Sequence, residues 1–205
     1  MDLFHTSPAH VARFEALRDR LAPGLTLHHH IHEDWLSRAC KGGVTAALSA
    51  EVSDAIRAVG GRKLCTCTTL GPIAEAAGAV RIDRPLMQAA ARIGGRICLA
   101  YCLESTANIS KQLLEDCIAE HGAPAQITPL CLGGLWPLFE AGKPDAFADA
   151  IATAIRGHMA AQPGTTCVVL AQASMEGAAS FLTDTNVPVL AAPEPAFRAA
   201  LALAV

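Results

Sequence analysis

Apolar residues along the chain follow two alternating spacings, one typical of buried strands and the other of amphipathic helices. The predicted strands are residues 1–5, 25–31, a short run beginning at 62, then 79–82, 96–103, 125–132, 166–171 and 187–190. Strands that alternate with helices predict an α/β fold, in which a mostly parallel sheet is covered by helices.

Helical spacing is clearest over residues 44–59 and 145–160, where apolar side chains recur every three or four positions. The other predicted helices are 9–21, 72–78, 85–93, 109–118, a short element at 135–141, one ending near 182 and a last one from 194. Residues 40–43 are predicted to form a loop, because two glycines follow a lysine there.

An internal repeat relates two parts of the chain. Residues 63–70 and 168–175 each contain an apolar strand followed by a small polar turn, and each leads into an alanine-rich helix. In this register Cys67 corresponds to Gln172, and Thr69 corresponds to Ser174. The repeat predicts two pseudo-symmetric lobes with a cleft between them, one formed by 1–83 with roughly 185–205 and the other by 84–184.

Polar residues follow most of the predicted strands. Ligands of parallel α/β sheets bind outside the carboxyl ends of the strands. The candidate site residues at these ends are Thr6, Ser7, His32, Cys67, Thr68, Thr69, Thr106, Gln172 and Ser174.

Composition excludes several classes of protein. Hydrophobic residues make up 52% of the 205, and charged residues only 17%, which favours a folded core over disorder. A net charge of −3 without a basic run argues against nucleic acid as a partner. No apolar stretch is long enough to span a membrane, and the first eight residues do not resemble a signal peptide. We therefore expect a cytoplasmic protein whose eight cysteines are reduced.

The turn that follows the third predicted strand contains a candidate reactive thiol, Cys67. A thiol just before a helix lies near unpaired N–H groups, and this setting lowers a cysteine pKa. The helix start near Pro72 fits this interpretation. The alternative is a buried cysteine pair at a strand end. Cys65 lies deeper in the same strand and is assigned to the core.

A run of histidines raises the question of a metal site. In a strand, His28, His30 and His32 would share one face, and imidazoles are common metal ligands. The run matches no motif of fixed spacing, however. We favour a polar strand end, in which one histidine reaches a pocket, and predict no metal.

With these residues in place, the sequence resembles the aspartate/glutamate racemase superfamily, which includes hydantoin racemases, maleate isomerases and arylmalonate decarboxylases. The resemblance rests on Cys67-Thr68-Thr69, Ile82-Asp83-Arg84-Pro85, Thr106 and the strand Val168-Val169-Leu170 with its exit turn. It implies two α/β lobes, no cofactor and one cysteine from each lobe beside the substrate. Cys67 then resembles the first of these cysteines. Thr68 and Thr69 resemble carboxylate-binding residues, as do Thr6, Ser7 and Thr106.

The sequence departs from this family at the second cysteine, where Gln172 stands. Neither Gln172 nor Ser174 titrates near neutral pH. Three hypotheses follow: a racemase or isomerase acting at the α carbon of a small carboxylic or amino acid, a decarboxylase of a substituted malonate with a single cysteine, and a non-catalytic carboxylate-binding protein. His32 could replace the missing base in the first. A homodimer is the expected oligomer.

Overall fold

A computed structural model describes residues 1–121 and 124–203 as strands alternating with helices. The strands are β1 (Asp2–His5), β2 (His28–Ile31), β3 (Lys63–Cys65), β4 (Val80–Arg81), β5 (Gly95–Tyr101), β6 (Ala125–Cys131), β7 (Thr165–Leu170) and β8 (Val189–Ala191). The α-helices are α1 (Ala9–Leu21), α2 (Glu33–Gly42), α3 (Ala46–Arg57), α4 (Gly71–Ala76), α5 (Arg84–Ile93), α6 (Glu104–His121), α7 (Trp136–Glu140), α8 (Pro144–Ala161) and α9 (Pro193–Ala202). The 3₁₀ helices are Gly133–Leu135 and Ala173–Leu182. The chain divides into two compact units, of which the first is Met1–Pro85 with the chain from Pro193 on, and the second is Leu86–Ala192.

The sheet of the first unit has four parallel strands in the order β2-β1-β3-β4. Phe4 of β1 lies beside Cys65 of β3, and both belong to a buried core with α2, α3 and α4. The alternate residues of β1 face the other way, so that the His5 ring lies 5.7 Å from that of Phe14 in α1. Phe14 in turn contacts Phe197 of α9, with ring centroids 6.2 Å apart. Helices therefore cover both faces of this sheet.

The sheet of the second unit is also parallel, in the order β6-β5-β7-β8. Ala100 of β5 lies beside Leu170 of β7. Both are buried against α8, whose core-facing residues include Phe147, Ile151 and Ile155. The strand order matches that of the first unit strand for strand. Cys67 and Gln172 therefore occupy the same position, two residues beyond the last residue of β3 and of β7.

The predicted α/β fold class with two parallel sheets is confirmed, and several details of the elements are corrected. Helix α2 was predicted as strand end and loop, and β2 begins at His28 rather than at residue 25. The segment from 173 to 182 is a 3₁₀ helix. Strand β8 pairs with β7, which places residues 185–192 in the second unit and not in the first.

Even the longest of the described helices, α6 and α8 with 18 residues each, do not have the length and apolar character that crossing a membrane requires.

Candidate active site

The turn between β3 and α4 carries the best-supported candidate residue, Cys67. The backbone N–H of Thr66 donates to the Phe4 carbonyl at 2.9 Å, which extends the pairing with β1 by one residue. The chain then turns, and the Gly71 N–H donates to the Thr68 carbonyl at 3.0 Å as α4 begins. All side chains from Thr66 to Leu70 are buried. The turn is therefore held from both ends.

Cys67 is buried among hydrogen-bond donors. Its side chain is only 6% exposed, and the Thr6 hydroxyl and the backbone N–H groups of Thr69 and Leu70 bond to it. Burial raises the pKa of the Cys67 thiol, and these three donors oppose that rise without cancelling it. The sequence-based expectation of a lowered pKa is therefore wrong, because desolvation outweighs the amides. The donors are nevertheless placed to stabilise a thiolate.

The second thiol of this stretch, Cys65, has the core position that the sequence predicts. Its side chain is 1% exposed and lies in the same buried cluster as Phe4, and burial raises the pKa of its thiol far above the ordinary range. The Cys65 thiol donates to the Cys67 carbonyl, with sulfur and oxygen 3.8 Å apart. Cys65 is therefore less accessible than Cys67 to a substrate or a thiol reagent.

A buried ion pair lies beside Gly71, the first residue of α4. The Arg81 guanidinium donates to both carboxylate oxygens of Asp83, at 2.7 and 2.9 Å, and both side chains are buried. A Cβ atom at Gly71 would come within 3.0 Å of Arg81 Nε. Only glycine at position 71 lets α4 begin this close to the fixed guanidinium.

The other candidates of the first unit have varied surroundings. Thr68 and Thr69 are buried beside Cys67 in the turn, and Thr6 is half-buried. The Ser7 hydroxyl accepts a hydrogen bond from the N–H of Ala9, the first residue of α1, at 3.3 Å. The structure therefore brings Thr6, Thr68 and Thr69 together with Cys67, whereas Ser7 has a structural partner of its own.

His32 lies at the start of α2, stacked on Trp35 with ring centroids 3.7 Å apart and planes 3° from parallel. Burial lowers the pKa of His32, so the ring is neutral at neutral pH. Among the described residues no hydrogen bond joins His32 to Cys67. Its stacking partner Trp35 donates to Glu51 at 2.9 Å, which fixes the indole.

The remaining histidines of the run do not form a shared ligand set. His30 bonds Asp2 at 2.8 Å, and His29 on the opposite face bonds His5 at 2.8 Å, while His28 is exposed. No group of three or more possible metal ligands occurs within residues 1–121 and 124–203.

At the end of β7 the position equivalent to Cys67 is occupied by a neutral amide. Gln172 Oε1 accepts hydrogen bonds from the backbone N–H groups of Cys102 and Leu103, at 2.6 and 3.1 Å. The Ser174 hydroxyl is buried and has no hydrogen-bond partner among the described residues. Thr106 lies buried in the first turn of α6, on the same face as Ser110. Neither Gln172 nor Ser174 therefore supplies a group at the end of β7 that titrates near neutral pH.

Two thiols near the ends of β5 and β6 were not predicted as site residues. Cys102 directly follows β5, and burial raises the pKa of its thiol to about 12. Cys131 is the last residue of β6, is exposed, and donates through Sγ to Glu104 Oε1 at 3.3 Å. Their positions directly at strand ends are the sequence signal that could have found them. Cys167 is the third residue of β7 and so does not lie at this edge of the sheet.

Comparison with solved structures supports the racemase-like fold. An allantoin racemase from Klebsiella pneumoniae matches 98% of this chain and 86% of its own, with 19% identity and a TM-score of 0.63. A glutamate racemase from Thermus thermophilus with β-chloro-D-alanine matches 98% and 79%, with 18% identity and a TM-score of 0.68. A glutamate racemase from Francisella tularensis with D-glutamate matches 97% and 78%, with 9% identity and a TM-score of 0.66.

No protein-family model matches the sequence, and no curated protein matches it significantly. At these identities the structural likeness establishes the fold alone. What the chain does has to be argued from its own residues.

Proposed function

We propose that this chain is a cofactor-independent racemase or isomerase that acts at the α carbon of a small carboxylic or amino acid, with Cys67 as the catalytic residue. The observation that carries the proposal is the Cys67 thiol at the carboxyl edge of the first sheet, in contact with the Thr6 hydroxyl and two backbone N–H groups. The racemase-like fold supports it. D-Glutamate and β-chloro-D-alanine, held by two of the similar structures, both carry an α-carboxylate.

The chemistry assigned to Cys67 is proton transfer on one face of the α carbon. The thiolate takes the α proton, and the electron pair of the C–H bond moves into the carboxylate to form an enediolate. Thr68 and Thr69 are the proposed donors to that carboxylate, and each such donor can stabilise the developing charge by about 3 kcal/mol. Returning the proton from the thiol to the opposite prochiral face requires either reorientation of the intermediate or a second acid.

His32 is the proposed second base, because an imidazole can accept a proton, which neither the Gln172 amide nor the Ser174 hydroxyl does near neutral pH. If it serves that role, His32→Ala abolishes racemisation of the acid whose racemisation also requires Cys67. Full racemisation by the His32→Ala variant would remove His32 from the mechanism.

A decarboxylase is the second candidate, and the neutral groups at Gln172 and Ser174 favour it. Decarboxylation needs a single proton donor. Carbon dioxide leaves a substituted malonate, its bonding electrons form the enediolate, and the Cys67 thiol protonates that intermediate.

The third candidate is a carboxylate-binding protein without turnover, which the raised pKa of Cys67 favours.

One experiment separates the three candidates. The protein is incubated in deuterium oxide with a panel of α-amino acids, α-hydroxy acids, cyclic ureides and substituted malonates, and followed by proton NMR. Loss of the α-proton signal without loss of a carboxylate supports the racemase or isomerase. Release of carbon dioxide from a malonate supports the decarboxylase. If saturable binding occurs without either change, and Cys67→Ser binds equally well, the chain is a binding protein.

A further inference from the structure

A chain of hydrogen bonds crosses the first sheet on the face that carries α1. His5 Nδ1 lies 2.9 Å from Thr66 Oγ1, and His5 Nε2 lies 2.8 Å from His29 Nδ1. His29 Nε2 continues to Glu15 Oε1 at 3.0 Å, and the other oxygen of Glu15 pairs with Arg18. The chain thus links β3, β1, β2 and α1. None of its members belongs to the proposed catalytic group.

Two members of this hydrogen-bond chain, His5 and Thr66, are sequence neighbours of the proposed reacting residues. His5 directly precedes Thr6, whose hydroxyl bonds to Cys67. Thr66 directly precedes Cys67 itself. Cys67 belongs to the buried cluster on the Phe4 face of the sheet, whereas the His5 ring faces Phe14 of α1, so the His5–Thr66 bond and the Thr6–Cys67 bond lie on opposite faces. Hydrogen bonds on both faces of the sheet therefore connect the ends of β1 and β3.

The imidazole of His5 is suited to a fixed, uncharged link. Its side chain is fully buried, and burial lowers the pKa of His5 to about 3, with the charges of His10, His29 and His30 adding to that effect. Charged groups elsewhere on α1 include Arg13, which donates to His10, and the ion pairs that Arg18 forms with Glu15 and Asp19 and that Arg20 forms with Glu194 of α9. His5 therefore stays neutral across the working pH range, with one N–H donor and one acceptor.

Proton accounting gives the link a direction. The Thr66 hydroxyl has one proton, which it offers either to His5 Nδ1 or to the Phe4 carbonyl at 3.2 Å. When Thr66 donates to His5, His5 donates through Nε2 to His29, and His29 donates through Nε2 to Glu15. Each bond from Thr66 to Glu15 is then made with both rings neutral, and the Phe4 carbonyl still accepts from the Thr66 N–H at 2.9 Å.

We propose that His5 is a positioning residue for Cys67, because its bond to Thr66 holds the end of β3 against the end of β1 and so keeps the Thr6 hydroxyl on the Cys67 sulfur. The inference deepens the proposed function, since it names a residue that acts through the reacting thiol. It concerns the reactivity of that thiol and can be tested without turnover.

The two variants His5→Asn and His5→Gln test the two hydrogen bonds of His5 separately. The asparagine amide takes the place of Nδ1, keeps a partner for Thr66 and loses His29. The glutamine amide takes the place of Nε2, keeps His29 and loses Thr66. The measurement is the alkylation rate of Cys67 by iodoacetamide across pH 6.5–10, quantified by tandem mass spectrometry, which separates Cys67 from Cys65.

We expect His5→Gln to slow labelling of Cys67 at pH 8 by about threefold to tenfold, with the pH profile displaced to higher pH, because a hydrogen bond to a thiolate is weakened. His5→Asn is expected to stay within about twofold of the unsubstituted chain by the same reasoning. His30→Asn is the matched control, since it removes the Asp2 bond on the opposite face of the sheet.

A second pair of variants keeps the inference testable if His5→Gln does not fold. Thr66→Val removes the hydroxyl at nearly constant volume, and Thr66→Ser retains it. Slowed labelling in the valine variant, with recovery in the serine variant, supports the positioning role. Equal labelling rates and pH profiles in both would overturn it. A thiol that responds to these changes in a chain that processes none of the tested acids upholds the positioning role while the proposed function fails.

Discussion

At the scale of single residues, two opposing effects set the chemistry of Cys67. Burial favours the neutral thiol, whereas the Thr6 hydroxyl and two backbone N–H groups favour the thiolate. The sequence could predict the amides, since Pro72 marks the start of a helix just after the turn. It could not predict the extent of desolvation, which depends on residues distant along the chain such as Phe4 and Trp35. In the proposed mechanism, the Cys67 thiolate therefore has to form during the reaction rather than exist beforehand.

The Thr6 hydroxyl provides the first test at this scale. Thr6→Val removes one donor to the thiolate, so the pKa of Cys67 rises further and the alkylation rate at pH 8 falls by about threefold to tenfold. Thr6→Ser keeps a hydroxyl and serves as the control. If Thr6→Val and Thr6→Ser label Cys67 equally fast, the Thr6 hydroxyl does not support the thiolate.

Gln172 provides the second residue-scale test. Its Oε1 atom accepts from two backbone N–H groups, so Gln172→Ala leaves both donors without that partner and lowers the free energy of unfolding by about 1–3 kcal/mol. Gln172→Glu keeps an acceptor at the same place and is expected to recover most of the loss. Urea denaturation measures both variants. An alanine variant as stable as the original chain would show that these hydrogen bonds contribute nothing net.

At the scale of elements, prediction was accurate where the apolar spacing was dense and failed where it was sparse. Helix α3 buries Leu48, Val52 and Ile56 at regular intervals, and the pattern revealed it. Helix α2 buries only Trp35 and Ala39, and its polar start follows a histidine run that resembles a strand end. A helix with so small a buried face gives little periodic signal. The type of the Ala173–Leu182 helix was likewise not encoded in a recognisable spacing.

The start of α4 gives a test at the scale of an element. Gly71→Ala places a Cβ atom 3.0 Å from Arg81 Nε, and the bidentate bond to Asp83 prevents the guanidinium from moving aside. Overpacking of this kind lowers the free energy of unfolding by about 1–3 kcal/mol. Gly42→Ala is the control, because a Cβ there meets nothing within 4 Å. Equal stability of the two variants in urea would show that the Arg81 side chain moves away from the new Cβ atom without loss of stability.

At the scale of the whole molecule, the internal repeat was the most informative feature of the sequence. It predicted that Cys67 corresponds to Gln172, and the matching strand orders of the two sheets agree with that correspondence. The lobe boundary was less accurate, because pairing of β8 with β7 depends on tertiary contacts that local patterns do not reveal. Thr106, Gln172 and Ser174 stay predictions as substrate-binding residues, and the homodimer stays a prediction as well.

The pH dependence of stability follows from several buried thiols. Burial raises the pKa of Cys98 and Cys102 to about 12 and that of Cys167 to about 11, whereas thiols of the unfolded chain ionise near 9. The unfolded chain therefore loses its thiol protons first, and the free energy of unfolding falls as the pH rises above 9. Urea denaturation between pH 7 and pH 11 measures this fall. It should be shallower for Cys98→Val, and an identical slope would show that Cys98 does not contribute.

The central claim is that Cys67 moves a proton at the α carbon of a small acid. The most direct measurement is the rate of α-proton exchange in deuterium oxide for Cys67→Ala against the original chain, on the acid that exchanges fastest. The variant is expected to lose at least about 10²-fold to 10⁴-fold in rate, as removal of a general acid or base does, while its unfolding midpoint in urea stays close to that of the original chain. Exchange at the original rate in Cys67→Ala would contradict the account.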